Sequence, residues 1–219
     1  MGLVILMASV VLGCAVQPKT AVVENAAWLK EWVDTPPQTV GLVKGPPKER
    51  VNTQPKTAGV EKAEPTPGWA EFCARYAPDC EVKPTAPRDI VLTPDTWNAI
   101  VSVNKWVNEN IGPTTDLERW GTINVWHYPD DGRGDCKGYV LLKRRMLMEA
   151  GLPRQALLIT IVWTKKDEGH VVLIARTDKG DLVLDNLSSE VLLASDTSYD
   201  FVKRQSQFDP NTWVYIDNV

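Results

Sequence analysis

Between Gly134 and Asn186 the chain lays out one amphipathic helix and then three apolar strands joined by short polar turns. That order constrains its fold more than any other feature. Gly134-Asp135-Cys136-Lys137-Gly138-Tyr139-Val140-Leu141-Leu142 reads as a loop, an N-cap and the first turns of the helix. Asp135 is a strong N-cap type whose carboxylate can accept from the N–H groups left open in the first turn. Cys136 is then the first helical residue, where the helix dipole lowers a thiol pKa. The helix is predicted to run to about Ala150 and to stop at Gly151-Leu152-Pro153, a C-cap glycine followed by a proline.

The run from Ala156 to Trp163 reads as a buried strand, and Thr164 to Gly169 as a polar turn. The second strand is opened by His170 and continues through Ala175. Thr177 to Asp181 forms the next turn, with Lys179-Gly180 as its hairpin pair, and Asp185 closes the third strand. A cysteine at a helix N-terminus, packed on a sheet carrying His and then Asp, is what a thiol nucleophile requires. The imidazole takes the thiol proton and later donates to the leaving group, while the carboxylate fixes the imidazole tautomer. The spacing also fits a buried core thiol, a turn histidine and a strand-capping aspartate. With Lys179-Gly180 as the turn, Asp185 pairs with Ile174, four residues or about 13 Å along the strand from His170. A bulge, a longer turn or strong twist is needed to close that gap.

From Pro67 to Val219 the sequence resembles the bacterial transglutaminase-like cysteine peptidases, a family that includes the periplasmic enzyme that clips large adhesins from the cell surface. The resemblance runs through Pro67-Gly68-Trp69-Ala70-Glu71-Phe72-Cys73, Leu92-Thr93-Pro94, Asn104 and Thr115-Asp116-Leu117-Glu118. It continues through Arg133-Gly134-Asp135-Cys136, Leu141-Leu142-Lys143-Arg144-Arg145, Gly169-His170-Val171-Val172-Leu173, Leu184-Asp185-Asn186 and Phe201 to Gln207. It implies an α+β fold with a papain-like, transglutaminase-like core, in which the Cys-bearing helix packs on an antiparallel sheet carrying His and Asp. It also implies Cys136 as nucleophile, His170 as base and Asp185 as the orienting acid.

One departure matters. The family follows its cysteine with acidic residues, and acids flanking the cysteine bind calcium in the adhesin-clipping enzyme. Here Lys137 and Gly138 stand in their place, leaving Asp135 as the matching calcium candidate. Calcium takes six to eight oxygens, several of them charged, so no cofactor is expected to be required. Lys137 is read instead as a cation able to hold the thiolate. Gly138 weakens the helix by roughly 1 kcal/mol relative to Ala.

The apolar run Leu3 to Gly13 is too short to cross a bilayer as a mature helix. Its end, Val11-Leu12-Gly13-Cys14, resembles the lipobox of bacterial lipoproteins, with Cys14 as the lipid-modified residue and an outer-membrane anchor on the periplasmic side. No basic residue precedes the run. Residues 15–66 read as an extended tether rich in Pro, Lys, Thr and Val. Within it Gln17 to Ala26 recurs as Gln54 to Ala63 with eight of ten positions identical. Trp28 and Trp32 stand at helical spacing, as a short transient helix or a sticky spot.

Cys73 and Cys80 are predicted to form a disulfide across a short loop turned by Pro78-Asp79, as suits an exported protein. A zinc pair is the alternative, with no third and fourth ligands in sight. The small loop should stabilise by roughly 2–3 kcal/mol on the chain-entropy model. Thr93-Pro94 opens a helix to about Asn110 with Trp97, Ile100, Val101 and Val107 as its apolar stripe. Trp120, Trp126, His127 and Tyr128 precede the cysteine loop; the tryptophans read as core filling and His127 as a structural or surface residue. The formal net charge is −4, and the one dense basic cluster, Lys143-Arg144-Arg145, is expected on a solvated helix face. No nucleic-acid or nucleotide partner is indicated. The chain therefore reads as an exported cysteine peptidase hydrolysing envelope or surface proteins, with an envelope regulatory partner conceivable. The alternatives are acyl transfer by the same triad and a non-catalytic, lipid-anchored binding protein.

Overall fold

The computed structural model describes residues 61–82 and 86–216. The signal segment, Cys14, the duplicated stretch up to residue 60, and Trp28 and Trp32 lie outside the described residues. Residues 61–66, read above as the end of the tether, belong to the folded unit. Lys62–Ala63 (β1) pairs with Val214 and Trp213, the Tyr215 N–H donates to the Glu61 carbonyl at 3.0 Å, and Thr66 is buried.

The three predicted strands are present as Leu157–Trp163 (β4), Gly169–Thr177 (β5) and Gly180–Leu184 (β6). They form the middle of a seven-stranded sheet completed by Leu192–Leu193 (β7), Asp200–Gln205 (β8) and Trp213–Tyr215 (β9). The strand order is β1-β9-β8-β4-β5-β6-β7, and every neighbouring pair is antiparallel. All nine residues of β5 are buried. A strand covered on both faces reads as a continuous apolar run rather than an alternation.

On one face lie the helices Pro94–Asn110 and Cys136–Glu149, packed on each other, with the second also packed on β5. Alternate strand residues Leu157, Ile159, Ile161, Val171, Leu173, Ala175, Leu182 and Leu184 meet them in the main core. The other parity, Leu158, Val162, Val172, Ile174 and Val183, forms a smaller cluster covered by Tyr199 and Phe201. The Pro94–Asn110 helix starts where the sequence puts it. Thr93 accepts from the Thr96 N–H at 3.2 Å, the Thr96 hydroxyl accepts from the Thr93 N–H at 2.8 Å, and Pro94 occupies the first turn.

The segment around the cysteine pair is not a simple loop. Trp69–Arg75 and Ala77–Cys80 are short helical turns, and Cys73 and Cys80 are joined by a disulfide with Cα atoms 5.5 Å apart. Gly68, with φ of 80°, precedes them, and a Cβ there would lie 2.0 Å from the Asn124 carbonyl oxygen. The Pro67-Gly68-Trp69 element is thus fixed by a backbone crossing that only glycine permits.

Candidate active site

The chain reaches Cys136 along Arg133–Gly134 (β3), which pairs in parallel with Gly112–Pro113 (β2). The Gly112 N–H donates to Gly132 at 2.8 Å, the Thr114 N–H to Gly134 at 3.0 Å, and the Tyr139 hydroxyl to the Ile111 carbonyl. These bonds tie the start of the Cys136 helix to the C-terminal end of the Pro94–Asn110 helix. Asp135 is the N-cap, as predicted. Its Oδ1 accepts from the Lys137 N–H at 3.0 Å and the Gly138 N–H at 3.4 Å. Cys136 is the first helical residue and is fully buried.

The Lys137 ammonium, read from the sequence as a cation for the thiolate, is engaged by two carboxylates. It lies 2.8 Å from Asp116 Oδ2 and bonds Asp135 Oδ2, with only 1% of the side chain exposed. Asp116 opens the short helix Asp116–Trp120, and its Oδ2 also accepts from the Val125 N–H at 2.8 Å. Burial pushes the Asp135 carboxyl above its ordinary value, with Lys137 opposing and Asp116 adding to the rise.

His170 and Asp185 meet directly. The ring Nε2 is 2.8 Å from Asp185 Oδ1, and both residues are buried. The 13 Å gap closes because the hairpin turns one residue earlier than expected. Thr177 pairs with Gly180 and Leu173 with Leu184, so Asp178-Lys179 is the turn. Continuing that register sets Asp185, one residue beyond β6, across from Val172, two residues from His170. The Thr177 hydroxyl donates to the Gly180 carbonyl at 2.6 Å and accepts from the Lys179 N–H at 3.1 Å, which fastens this turn.

Asp185 is held by more than the histidine. Tyr199 donates its hydroxyl to Oδ2, and the Leu187 N–H donates to Oδ1 at 3.0 Å. Burial raises the carboxyl pKa, but the bonds and charge of His170, then the Tyr199 and Leu187 bonds, outweigh it and hold the group below its ordinary value. The loop itself is pinned from the helix layer. Asn108 Nδ2 donates to the Asp185 carbonyl at 2.8 Å and to Ser188 at 2.9 Å, and Asn104 Nδ2 to Ser189 at 3.3 Å. Two asparagines four apart on a mostly apolar helix face were the available signal for this clamp. Tyr199 left no local signal.

By parity His170 belongs with Val172 and Ile174, on the smaller cluster's side of the sheet. Asn108, from the helix layer on the other side, donates to the Asp185 carbonyl. The remaining ring nitrogen, His170 Nδ1, is buried and has no hydrogen-bond partner among the described residues.

Lys143-Arg144-Arg145 is not a solvated face. Lys143 and Arg144 are buried. Arg144 Nε donates to the Leu157 carbonyl at 3.2 Å, and the Arg145 guanidinium lies 3.4 Å above the Tyr128 ring. Lys143 Nζ has no hydrogen-bond partner among the described residues and lies 5.9 Å from the Tyr139 ring centre. Burial pulls its pKa down to about 7, while the Asp185 charge acts in the opposite direction.

Of the aromatic group before Cys136, Trp126 and Tyr128 are buried, whereas Trp120, expected in the core, is exposed. Trp126 Nε1 donates to the Pro67 carbonyl at 3.0 Å, and the Tyr128 hydroxyl to Asp79 at 3.1 Å. His127 Nδ1 is 2.6 Å from the Tyr128 carbonyl, which can only accept, so the proton is on Nδ1 and Nε2 accepts from the Tyr76 hydroxyl at 3.1 Å. Both nitrogens of this second histidine are therefore engaged away from Cys136.

The sequence profile of the bacterial transglutaminase-like cysteine proteinases (BTLCP) matches residues 59–219, which hold every residue of this site. The chain belongs to that family. It is accordingly a member of the cysteine peptidases, with the mixed helix and antiparallel-sheet core expected of it. No curated protein matches the chain by sequence. Among solved structures it is similar to LapG of Legionella pneumophila in three states. The EGTA-treated form shares 26% identity over 50% of this chain and 62% of its own, with a TM-score of 0.45. A further LapG structure shares 24% identity over 56% and 70%, with a TM-score of 0.48. The calcium-bound form shares 24% over 59% and 74%, also at 0.48. The chain thus spans less than two thirds of the length of the first of these.

Proposed function

We propose that this member of the family hydrolyses peptide bonds of exported or surface proteins, with Cys136 as nucleophile, His170 as base and Asp185 as the acid that orients it. The observation that carries the reading is the division of labour on the His170 ring. Nε2 is taken by Asp185, which leaves the buried Nδ1 as the nitrogen for the Cys136 thiol, and Cys136 begins the helix packed on β5. In the reduced enzyme Nδ1 accepts the thiol proton, and the helix N-terminus favours the thiolate. The thiolate adds to the scissile carbonyl, and the developing oxyanion is met by the Cys136 backbone N–H. The C–N bond then breaks as His170 returns the proton to the leaving amine. Water, deprotonated by His170, hydrolyses the thioester and frees the carboxylate product.

Calcium-bound LapG makes calcium the first cofactor to test. The residues here do not fit that ion. Calcium takes six to eight oxygens at about 2.3–2.6 Å. At the corresponding place Asp135 Oδ1 already caps the helix, Asp116 Oδ2 already accepts from Val125, and the Lys137 ammonium lies between the two carboxylates. A divalent ion about 4 Å from that ammonium would be repelled by roughly 8 kcal/mol at an effective dielectric constant of 20. Among the described residues no group of three or more His, Cys, Asp or Glu side chains is arranged to hold a metal ion.

The reading extends to an exported protein anchored in the outer membrane through Cys14, with the segment up to residue 60 as tether. No helix among the described residues is long and apolar enough to cross a membrane. The peptidase reading is tested by comparing new N-termini on exported proteins in cells carrying wild type or Cys136→Ala. Termini that vanish with Cys136→Ala are expected; an unchanged set contradicts hydrolysis and favours a binding role. Product joined to an added amine in excess of hydrolysed product would turn the reading to acyl transfer.

A further inference from the structure

The start of the Cys136 helix is a place where two chain segments bring negative charge together out of water. Asp116 arrives from the short helix Asp116–Trp120 and Asp135 from the N-cap, with side chains 10% and 6% exposed. Such a pair does not persist in a protein interior without a cation. The chain supplies one from its own next residue. Lys137 lies one position past Cys136, and its ammonium bonds both carboxylates.

We infer that Lys137 is the resident cation of this site, and that it organises the Cys136 helix without calcium. Its ammonium is a positioning group and not a catalytic one. Two connections run through it, and a third bond lies beside it. Asp135 keeps one oxygen on the Lys137 and Gly138 N–H groups and turns the other to the ammonium. Asp116 uses one oxygen for both the ammonium and the Val125 N–H, which fixes the segment leading to Trp126 and His127. Tyr139, one turn further on, is anchored on Ile111. The ammonium therefore joins the Asp116 helix, the Val125 segment and the N-cap into one rigid approach to Cys136. A tethered cation costs no binding entropy and cannot be stripped by chelator, so the helix start is fixed at any calcium concentration. The consequence for catalysis rests on the reading of Cys136 as nucleophile; the consequence for stability does not.

The test uses the whole protein with Cys136 reduced, and reads the melting temperature and the rate of Cys136 alkylation by iodoacetamide, with 5 mM calcium chloride or 5 mM EGTA. Wild type should give the same melting temperature and rate in both. Lys137→Met, which keeps the length of the side chain and removes its charge, should lower the melting temperature by on the order of 10 °C. Lys137→Glu should melt lower still in EGTA and recover at least half the loss in calcium, because three carboxylates then face one another. Recovery with added divalent ion is a response that a merely space-filling lysine would not produce. A wild-type protein whose melting temperature or alkylation rate moves with calcium would overturn the inference. So would a Lys137→Met variant as stable as wild type. Neither readout needs a peptide substrate, so failure of the peptidase reading leaves this test intact.

Discussion

Two lysines on one helix, Lys137 and Lys143, are both buried and are treated in opposite ways. Lys137 has two carboxylates on its ammonium; Lys143 has no hydrogen-bond partner for its Nζ among the described residues and only the more distant charge of Asp185. The first is held in place by its two ion pairs. The second is pulled down to about 7, so its charge is marginal near neutrality. The difference teaches that burial alone does not assign a role to a lysine. A compensated cation is part of the frame, whereas an uncompensated one is a standing cost that pH can relieve.

The largest effect that would sharpen this contrast comes from Asp185, the carboxylate whose charge reaches Lys143. Asp185→Asn removes the acid that orients His170 and should lower turnover by about 10³–10⁴-fold, as loss of an orienting carboxylate does in triads. A drop smaller than tenfold would remove Asp185 from the proposed machinery. Next, the two lysines should respond with opposite sign. At pH 6, Lys137→Met should lower the melting temperature while Lys143→Met raises it by a few degrees, since it replaces an unpaired buried charge by an apolar group of similar length. Circular-dichroism melts of both variants give the signs directly; equal signs would erase the distinction drawn here.

The pH dependence follows from the same contrast. Lys143 binds its proton less tightly folded than unfolded, so between about pH 7 and the unfolded value near 10.4 the unfolded chain holds more protons. Stability attributable to this residue should rise across that window, and Lys143→Met should flatten the rise in a series of denaturant titrations. Asp185 acts in the same sense, in the acid range. Its folded pKa is depressed, so its contribution is complete above the ordinary carboxylate value and is lost as pH falls through the folded one. The smallest effect is expected for Tyr199→Phe. Removing one donor to Asp185 should cost about 1 kcal/mol and shift acid unfolding to higher pH, with turnover reduced less than tenfold.

The parts of the site written in local chemistry were legible in the sequence. Asp135 as a cap, Cys136 as the first helical residue and Thr93-Pro94 as a helix start depend on neighbours within one turn, and each is where the pattern put it. The His170–Asp185 contact was legible as an order of residues but not as a distance. A two-residue slip keeps every strand side chain on its face, so apolar alternation cannot detect it. The slip was decided by the hydroxyl of Thr177 at the turn. Lys143-Arg144-Arg145 was misread for a different reason. One exposed face is assumed for a helix of a small domain, yet this helix is enclosed on nearly every side, and its basic residues are taken up by Leu157, Tyr128 and the core. Lys137 was misdirected because its partner Asp116 lies 21 positions earlier and meets it only through the fold. The strands after residue 190 were not foreseen at all; they are short, and they pair with β1, β4, β6 and one another.

The central claim is that Cys136 and His170 act as one unit, and the most direct measurement is the pH profile of Cys136 alkylation by iodoacetamide in reduced wild type and reduced His170→Ala. The account predicts a wild-type thiol pKa well below the ordinary value of about 8.5, rising toward it when the imidazole is removed. An ordinary pKa in wild type that is indifferent to the loss of His170 would contradict it.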